Sequence, residues 1–141
     1  MRQRIALMSA ALWWGSLTAI GFVVVPLLFM HLATPAMAGA MAARLFTAQS
    51  WLSVGCALLL LLALTKRPEG EDDLPAPPPA AVMPVMGGLL LALLIEYAVA
   101  PRIVARESLK LWHNLGTGMY LLQWLCAGLA LWRLARTLPA R

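Results

Sequence analysis

Residues 5–30 read IALMSAALWWGSLTAIGFVVVPLLFM, an apolar run whose only hydroxyl side chains are Ser9, Ser16 and Thr18. At 1.5 Å of helix rise per residue, an uncharged run of more than about 18 apolar residues can cross a hydrocarbon core about 30 Å thick. Three further runs follow, over about 45–64, 81–100 and 111–132. The second contains Gln49 and Ser53, the third one carboxylate, Glu96, and the fourth His113, Asn114, Thr117 and Gln123. Leu and Ala dominate without period-two alternation, and an open sheet cannot satisfy its edges in lipid, so the runs are read as helices. The expected fold is all-α: a polytopic membrane protein forming one four-transmembrane-helix bundle over residues 1–141.

Composition points the same way. The chain is 62% hydrophobic and 12% charged, with a mean hydropathy of +0.79, whereas a soluble domain is about a quarter charged. A net charge of +5 and a pI near 10 would suggest nucleic acid in a soluble protein. Here the basic residues sit at span ends, where lipid head groups are the natural partners, so the bilayer and not nucleic acid is expected. Arg2 and Arg4 precede the first run, and Ala36-Met37-Ala38 has the small-x-small form of a signal-peptide cleavage site. A signal core is only about 7–15 residues long, so the first run is read as a retained span.

Basic residues in short loops set orientation. Arg2, Arg4, Lys66, Arg67, Arg133, Arg136 and Arg141 lie on the side of the termini, against Arg44, Arg102, Arg106 and Lys110 on the other. This asymmetry predicts a multi-pass membrane protein with both termini in the cytoplasm. Trp13, Trp14, Trp51, Trp112 and Trp132 are expected partly as interfacial anchors, while Trp124 lies too deep for that role. The acid- and proline-rich segment 66–80 is expected to be a flexible cytoplasmic linker. No internal repeat is evident.

Helical spacing assigns faces. Gly88, Ala92, Glu96 and Ala100 recur every four residues on span three, giving a small-residue stripe for close helix packing. His113, Gly116, Tyr120, Gln123 and Ala127 form a seam on span four. Ala11, Gly15 and Ala19 on span one, and Gln49, Ser53 and Ala57 on span two, form comparable stripes. Packing alone accounts for all of these.

Topology gathers His31, Arg44, Glu96, Arg102, Arg106 and His113 near the outer face, as a candidate polar cluster. Glu96 precedes Pro101 by roughly 7–8 Å of helix rise, placing it inside the bilayer. An intramembrane carboxylate requires a basic partner or a proton, and Arg44, Arg102 and Arg106 are the available guanidinium groups. Glu96 is therefore expected to contact one of them, either as a packing pin or as a functional site.

His31 and His113 suggest haem or a transition metal only weakly, because they sit at span edges without H-x-x-x-H or C-x-x-C spacing. They are expected to be interfacial, with no cofactor or metal. Cys56 and Cys126 are expected to be small packing residues in mid-membrane. No catalytic triad, phosphate-binding glycine loop or carboxylate pair indicates an enzyme.

Gly21-Phe22-Val23-Val24-Val25-Pro26-Leu27-Leu28-Phe29 leading into His31-Leu32, then Ala43-Arg44-Leu45-Phe46, Ala100-Pro101-Arg102-Ile103 and Leu111-Trp112-His113, resemble the bacterial DUF4149 family. That family is related to eukaryotic transmembrane protein 205 and, more remotely, to copper-resistance membrane domains of the CopD type. The resemblance implies a four-helix protein of the bacterial inner membrane and transfers no catalytic residue. Three function classes follow: a structural, assembly or accessory role, with a homo-oligomer or another membrane protein as partner; a small-solute, ion- or proton-coupled transport module using Glu96 in an oligomer; and a haem- or copper-binding protein using His31 and His113.

Overall fold

The computed structural model describes residues 2–65 and 79–137. The expected linker lies outside the described residues up to position 78, as do Lys66, Arg67 and Arg141. Four helices are long and apolar enough to cross a membrane: span one, Arg2–His31; span two, Pro35–Thr65; span three, Ala81–Val104; span four, Leu109–Arg136. Together they form an all-α, up-down-up-down bundle in which span one packs on spans two and four, and span three packs on the same pair.

Span two starts at Pro35 rather than near Leu45. Thr34 is the reason: its hydroxyl accepts the Met37 amide at 3.2 Å, capping the first turn, and Pro35 supplies the preset φ favoured at the first helical position. Arg44 therefore lies within the helix instead of opening it. The Ala36-Met37-Ala38 triplet occupies the first turn of this helix.

Spans one and three share a local break. Helical turns widen to the π form over Ile20–Val24 and Ile95–Val99, with the Val25 amide bonded to the Ile20 carbonyl and the Ala100 amide to the Ile95 carbonyl. A proline follows each, Pro26 and Pro101. Proline lacks the amide that would close its own turn and crowds the carbonyl four residues back, and a widened turn before the ring relieves both. Phe22-Val23-Val24-Val25-Pro26 and Tyr97-Ala98-Val99-Ala100-Pro101 thus carry one pattern, aromatic-x-Val-x-Pro, in the two spans that run in the same direction. This local correspondence was not apparent along the chain as a whole.

The core combines small residues with a few large ones: Ala6, Ala10, Trp13 and Leu17 from span one, Cys56, Ala57 and Leu60 from span two, Val85 from span three, and Ala127, Ala130 and Leu134 from span four. Trp13 is fully buried, so it is a core residue and not an interfacial anchor. Burying Trp13 and Leu17 turns the Ala11, Gly15 and Ala19 stripe outward, where all three are exposed and a Cβ on Gly15 would meet nothing within 4 Å. The stripes on the other spans mostly face inward. Gln49, Ser53, Ala57, Ala92, Gln123 and Ala127 are buried.

Trp112 and Trp132 sit at opposite ends of span four. The Arg102 guanidinium lies 4.3 Å over the Trp112 ring, and that of Arg136 lies 3.7 Å over Trp132. A cation stacked on an indole suits the bilayer edge, where the ring meets lipid and the charge meets water.

Candidate functional site

Cross-helix contacts set the depth of each polar group. Ser16 meets Gln49, the Tyr120 hydroxyl donates to the Leu17 carbonyl at 2.8 Å, and the Tyr120 ring lies 5.3 Å from that of Phe46. Trp13 closes over Gly88, whose Cβ would come within 2.6 Å of the indole. Counting outward at 1.5 Å per residue, Arg44 stands about 7–8 Å beyond the Ser16 level, and Glu96 about 12 Å beyond Trp13.

The other charged side chains among the described residues lie towards the bundle ends. Arg2, Arg4, Arg133 and Arg136 are at the end carrying the termini, and Arg102, Arg106, Glu107 and Lys110 are at the distal end. Arg133 and Arg102 are about 30 Å apart along the axis, the thickness of a hydrocarbon core. Arg44 and Glu96 are thus the two charges between these belts among the described residues. A charge near the bilayer centre costs about 2.5–3.5 kcal/mol on insertion scales, which makes this pair the first place to look for function.

Glu96 is half-buried in the π-helical stretch of span three. It lines a shallow groove between spans two and three together with Ser50, Trp51, Val54, Ala92, Leu93 and Tyr97. Gly88 and Ala92 keep the inward stripe, but beyond them Val99 takes the core position, at 2% exposure, and Ala100 is only half-buried. The widened turn adds a residue to the repeat and leaves Glu96 at the seam.

The expected contact of Glu96 with a guanidinium is not formed within the chain: among the described residues no ion pair joins Glu96 to Arg44, Arg102 or Arg106. Arg102 is stacked on Trp112 instead. Arg106 lies in the tight turn before span four, with a positive φ of 57°. Arg44 is exposed, seven residues before Trp51 and so on the same outward side of span two. His31 and His113 are exposed at the distal end, and His31 Nδ1 lies 3.0 Å from the Leu27 carbonyl on its own helix. Of the six residues of the expected cluster, Arg44 and Glu96 lie within the spans, while the other four lie nearer the distal edge. No group of three or more His, Cys, Asp or Glu side chains converges among the described residues.

A second polar feature crosses the midplane. The Gln49 side-chain amide donates to Ser16 Oγ at 3.0 Å and to Ser53 Oγ at 3.2 Å, and Ser16 passes its own proton to the Trp13 carbonyl at 3.0 Å. On the other side, Trp124 Nε1 donates to Thr18 Oγ1 at 2.8 Å, and Thr18 donates to the Trp14 carbonyl at 2.8 Å. Each hydroxyl serves as an acceptor across helices and a donor to its own backbone, so neither is left unsatisfied in lipid. Trp13 Nε1, Gln49 Oε1 and Gln123 Nε2 are buried with no hydrogen-bond partner among the described residues.

Sequence reasoning missed Trp51 and Tyr97 as groove residues and Ser16 as a hydrogen-bonding hub. Tyr97 adjoins Glu96 in the sequence, which was the available cue; Trp51 and Ser16 lie on other spans, and no motif marks them.

A family model described as "Domain of unknown function (DUF4149)" matches residues 8–110. No match was found among curated proteins or among solved structures. The family match includes spans one to three, the groove and both intramembrane charges, and the chain belongs to the DUF4149 family.

Proposed function

We propose that this protein is an assembly or accessory subunit of the bacterial inner membrane, with both termini in the cytoplasm, acting through contacts with other membrane segments. The observation that carries this reading is the way the bundle is filled. Trp13 occupies the interior against Gly88, Trp14 lies against Gly128, and Tyr120 lies against Gly21. Ring side chains seated on glycines leave no room for a solute path between the helices. The intramembrane carboxylate Glu96 lies instead at a lateral groove, where another membrane helix has access.

A photoactivatable amino acid at Tyr97 should capture a discrete membrane-protein partner in native membranes, whereas one at Leu125 on span four should not. Equal, diffuse labelling from both positions would remove the support for this reading.

A second reading, an ion- or proton-coupled module using Glu96 in an oligomer, is favoured by the absence of an ion pair to this intramembrane carboxylate among the described residues. Proton or cation flux in liposomes that disappears in Glu96→Gln would establish it in place of the first. A haem or copper role for His31 and His113, and the wider kinship with transmembrane protein 205 and CopD-type domains, find less support, because both histidines are exposed at the distal edge.

A further inference from the structure

We propose that the groove between spans two and three is a docking site for the indole of a tryptophan carried by another membrane helix, with Glu96 accepting its N–H. The inference deepens the assembly reading and rests on it.

The chain itself shows what fills such a groove, because its two helical hairpins are structural repeats. Span one buries Ala6, Ser9, Ala10, Trp13 and Leu17, and 75 residues on span three buries Ala81, Pro84, Val85, Gly88 and Ala92. The same step carries the π-turn Ile20–Val24 and Pro26 onto Ile95–Val99 and Pro101. A step of 74 carries Gln49, Ser53, Cys56 and Leu60 of span two onto Gln123, Ala127, Ala130 and Leu134 of span four, again all buried save that each sits in the core. Trp13 meets Gly88 and Phe46 meets Tyr120, each its own counterpart, as residues beside a two-fold axis do.

The repeat pairs the groove with the seam between spans four and one. There the Trp124 indole fills the space: its ring lies 5.7 Å from that of Trp14 and 5.5 Å from that of Phe22, and its N–H donates to Thr18 Oγ1 at 2.8 Å. Around the groove, Ser50 stands at the Trp124 position, Leu89 at that of Trp14, and Tyr97 at that of Phe22. The indole is replaced by a hydroxymethyl group, so this seam is left open where its counterpart is closed. Its aromatic wall remains, with Tyr97 65% exposed.

Polarity fits the same occupant. The Ser50 side chain lies against the groove, and its hydroxyl makes no hydrogen bond among the described residues. Leu93 replaces the Thr18 acceptor, while Glu96 stands in place of Gly21 one turn along. A carboxylate in lipid needs a donor, and an N–H bound to an ionised acceptor makes the stronger, charge-assisted hydrogen bond. A shallow groove cannot enclose a free aromatic molecule, whose pocket would have to bury most of its surface. A ring held on a helix brings the rest of the cover with it.

The test uses the purified full chain in phosphatidylcholine liposomes with synthetic Leu–Ala transmembrane helices, each carrying one Trp at successive positions or Phe in its place. Energy transfer from the dye-labelled chain reads association. The best-placed Trp helix should bind about three- to tenfold more tightly than its Phe counterpart, and Glu96→Leu should erase that difference. Ser50→Trp should supply the ring from within, so this variant should melt no lower than the parent while losing the association, which a folding defect would not mimic. Equal binding of the Trp and Phe helices, or a Ser50→Trp chain that melts with the parent and still binds the Trp helix, would overturn the proposal. So would self-association of the chain that Ser50→Trp abolishes, which would assign the groove to a second copy, or binding of free indole that the Trp helix does not displace. If the Trp helix fails while the probe at Tyr97 still captures a discrete membrane protein in native membranes, the assembly reading survives and only this inference falls.

Discussion

The indole of Trp13 closes directly over Gly88: a Cβ at that glycine would lie 2.6 Å from Trp13 Cη2 and 2.8 Å from Cζ2. Spans one and three stand diagonally across the bundle, and this contact sets how closely they approach. Trp13 is fully buried and has little room to retreat.

Gly88→Ala should therefore lower stability in detergent by about 1–3 kcal/mol, the usual range for overpacking a closed core. Gly15→Ala provides the contrast. Its Cβ would meet nothing within 4 Å, and alanine is the better helix former, so that variant should melt at or slightly above the parent temperature. Equal melting of the two variants would mean that Trp13 does not sit on Gly88.

The Ser16–Gln49 hydrogen bond should be measurable but small. Interhelical polar contacts in membranes average about 0.6 kcal/mol in double-mutant cycles, because the unfolded chain in lipid also finds partners. Ser16→Ala should destabilise, since Gln49 then keeps only Ser53 as acceptor for its amide. Gln49→Leu should be milder, because it also removes the unpaired Oε1 from the core. A cycle over both sites should give a coupling of about 0.5–1 kcal/mol. A coupling indistinguishable from zero would place the two side chains apart.

Orientation can be checked with reporter fusions. Arg44 lies within span two instead of in a loop, which leaves Arg102, Arg106 and Lys110 as the basic residues at the distal end, against Arg2, Arg4, Arg133 and Arg136 among the described residues at the other. Fusions at Arg141 and within residues 70–78 should both report cytoplasm. A periplasmic signal from either would reverse the proposed topology.

Much of the architecture was legible along the chain, for a reason peculiar to lipid. A segment crossing hydrocarbon must satisfy its own backbone, so a long uncharged run such as residues 5–30 dictates a helix without reference to its neighbours. Periodicity also located the inward faces of spans two and four through Gln49, Ser53 and Ala57, and through Gln123 and Ala127, because a polar or small residue deep in a span finds its best surroundings against another helix.

The inward side of span one required the tertiary structure. Apart from Ser9, Ser16 and Thr18 that helix is apolar on every side, so for most of its residues facing inward or facing lipid differs little in hydrophobic terms, and the choice between stripes falls to shape: Trp13 and Leu17 fill the interior and Ala11, Gly15 and Ala19 turn away. The start of span two depended on the Thr34 cap, a short-range feature that the apolar run beyond Arg44 does not reveal. The fate of Glu96 was the least legible. The sequence supplied a carboxylate within the bilayer and three guanidinium groups that could meet it. Only the register between helices and the π-turn before Pro101 put Glu96 at a lateral seam against Ser50 and Trp51, with no ion pair to Arg44 among the described residues, because depth and direction in a bundle are properties of packed helices and not of any single one.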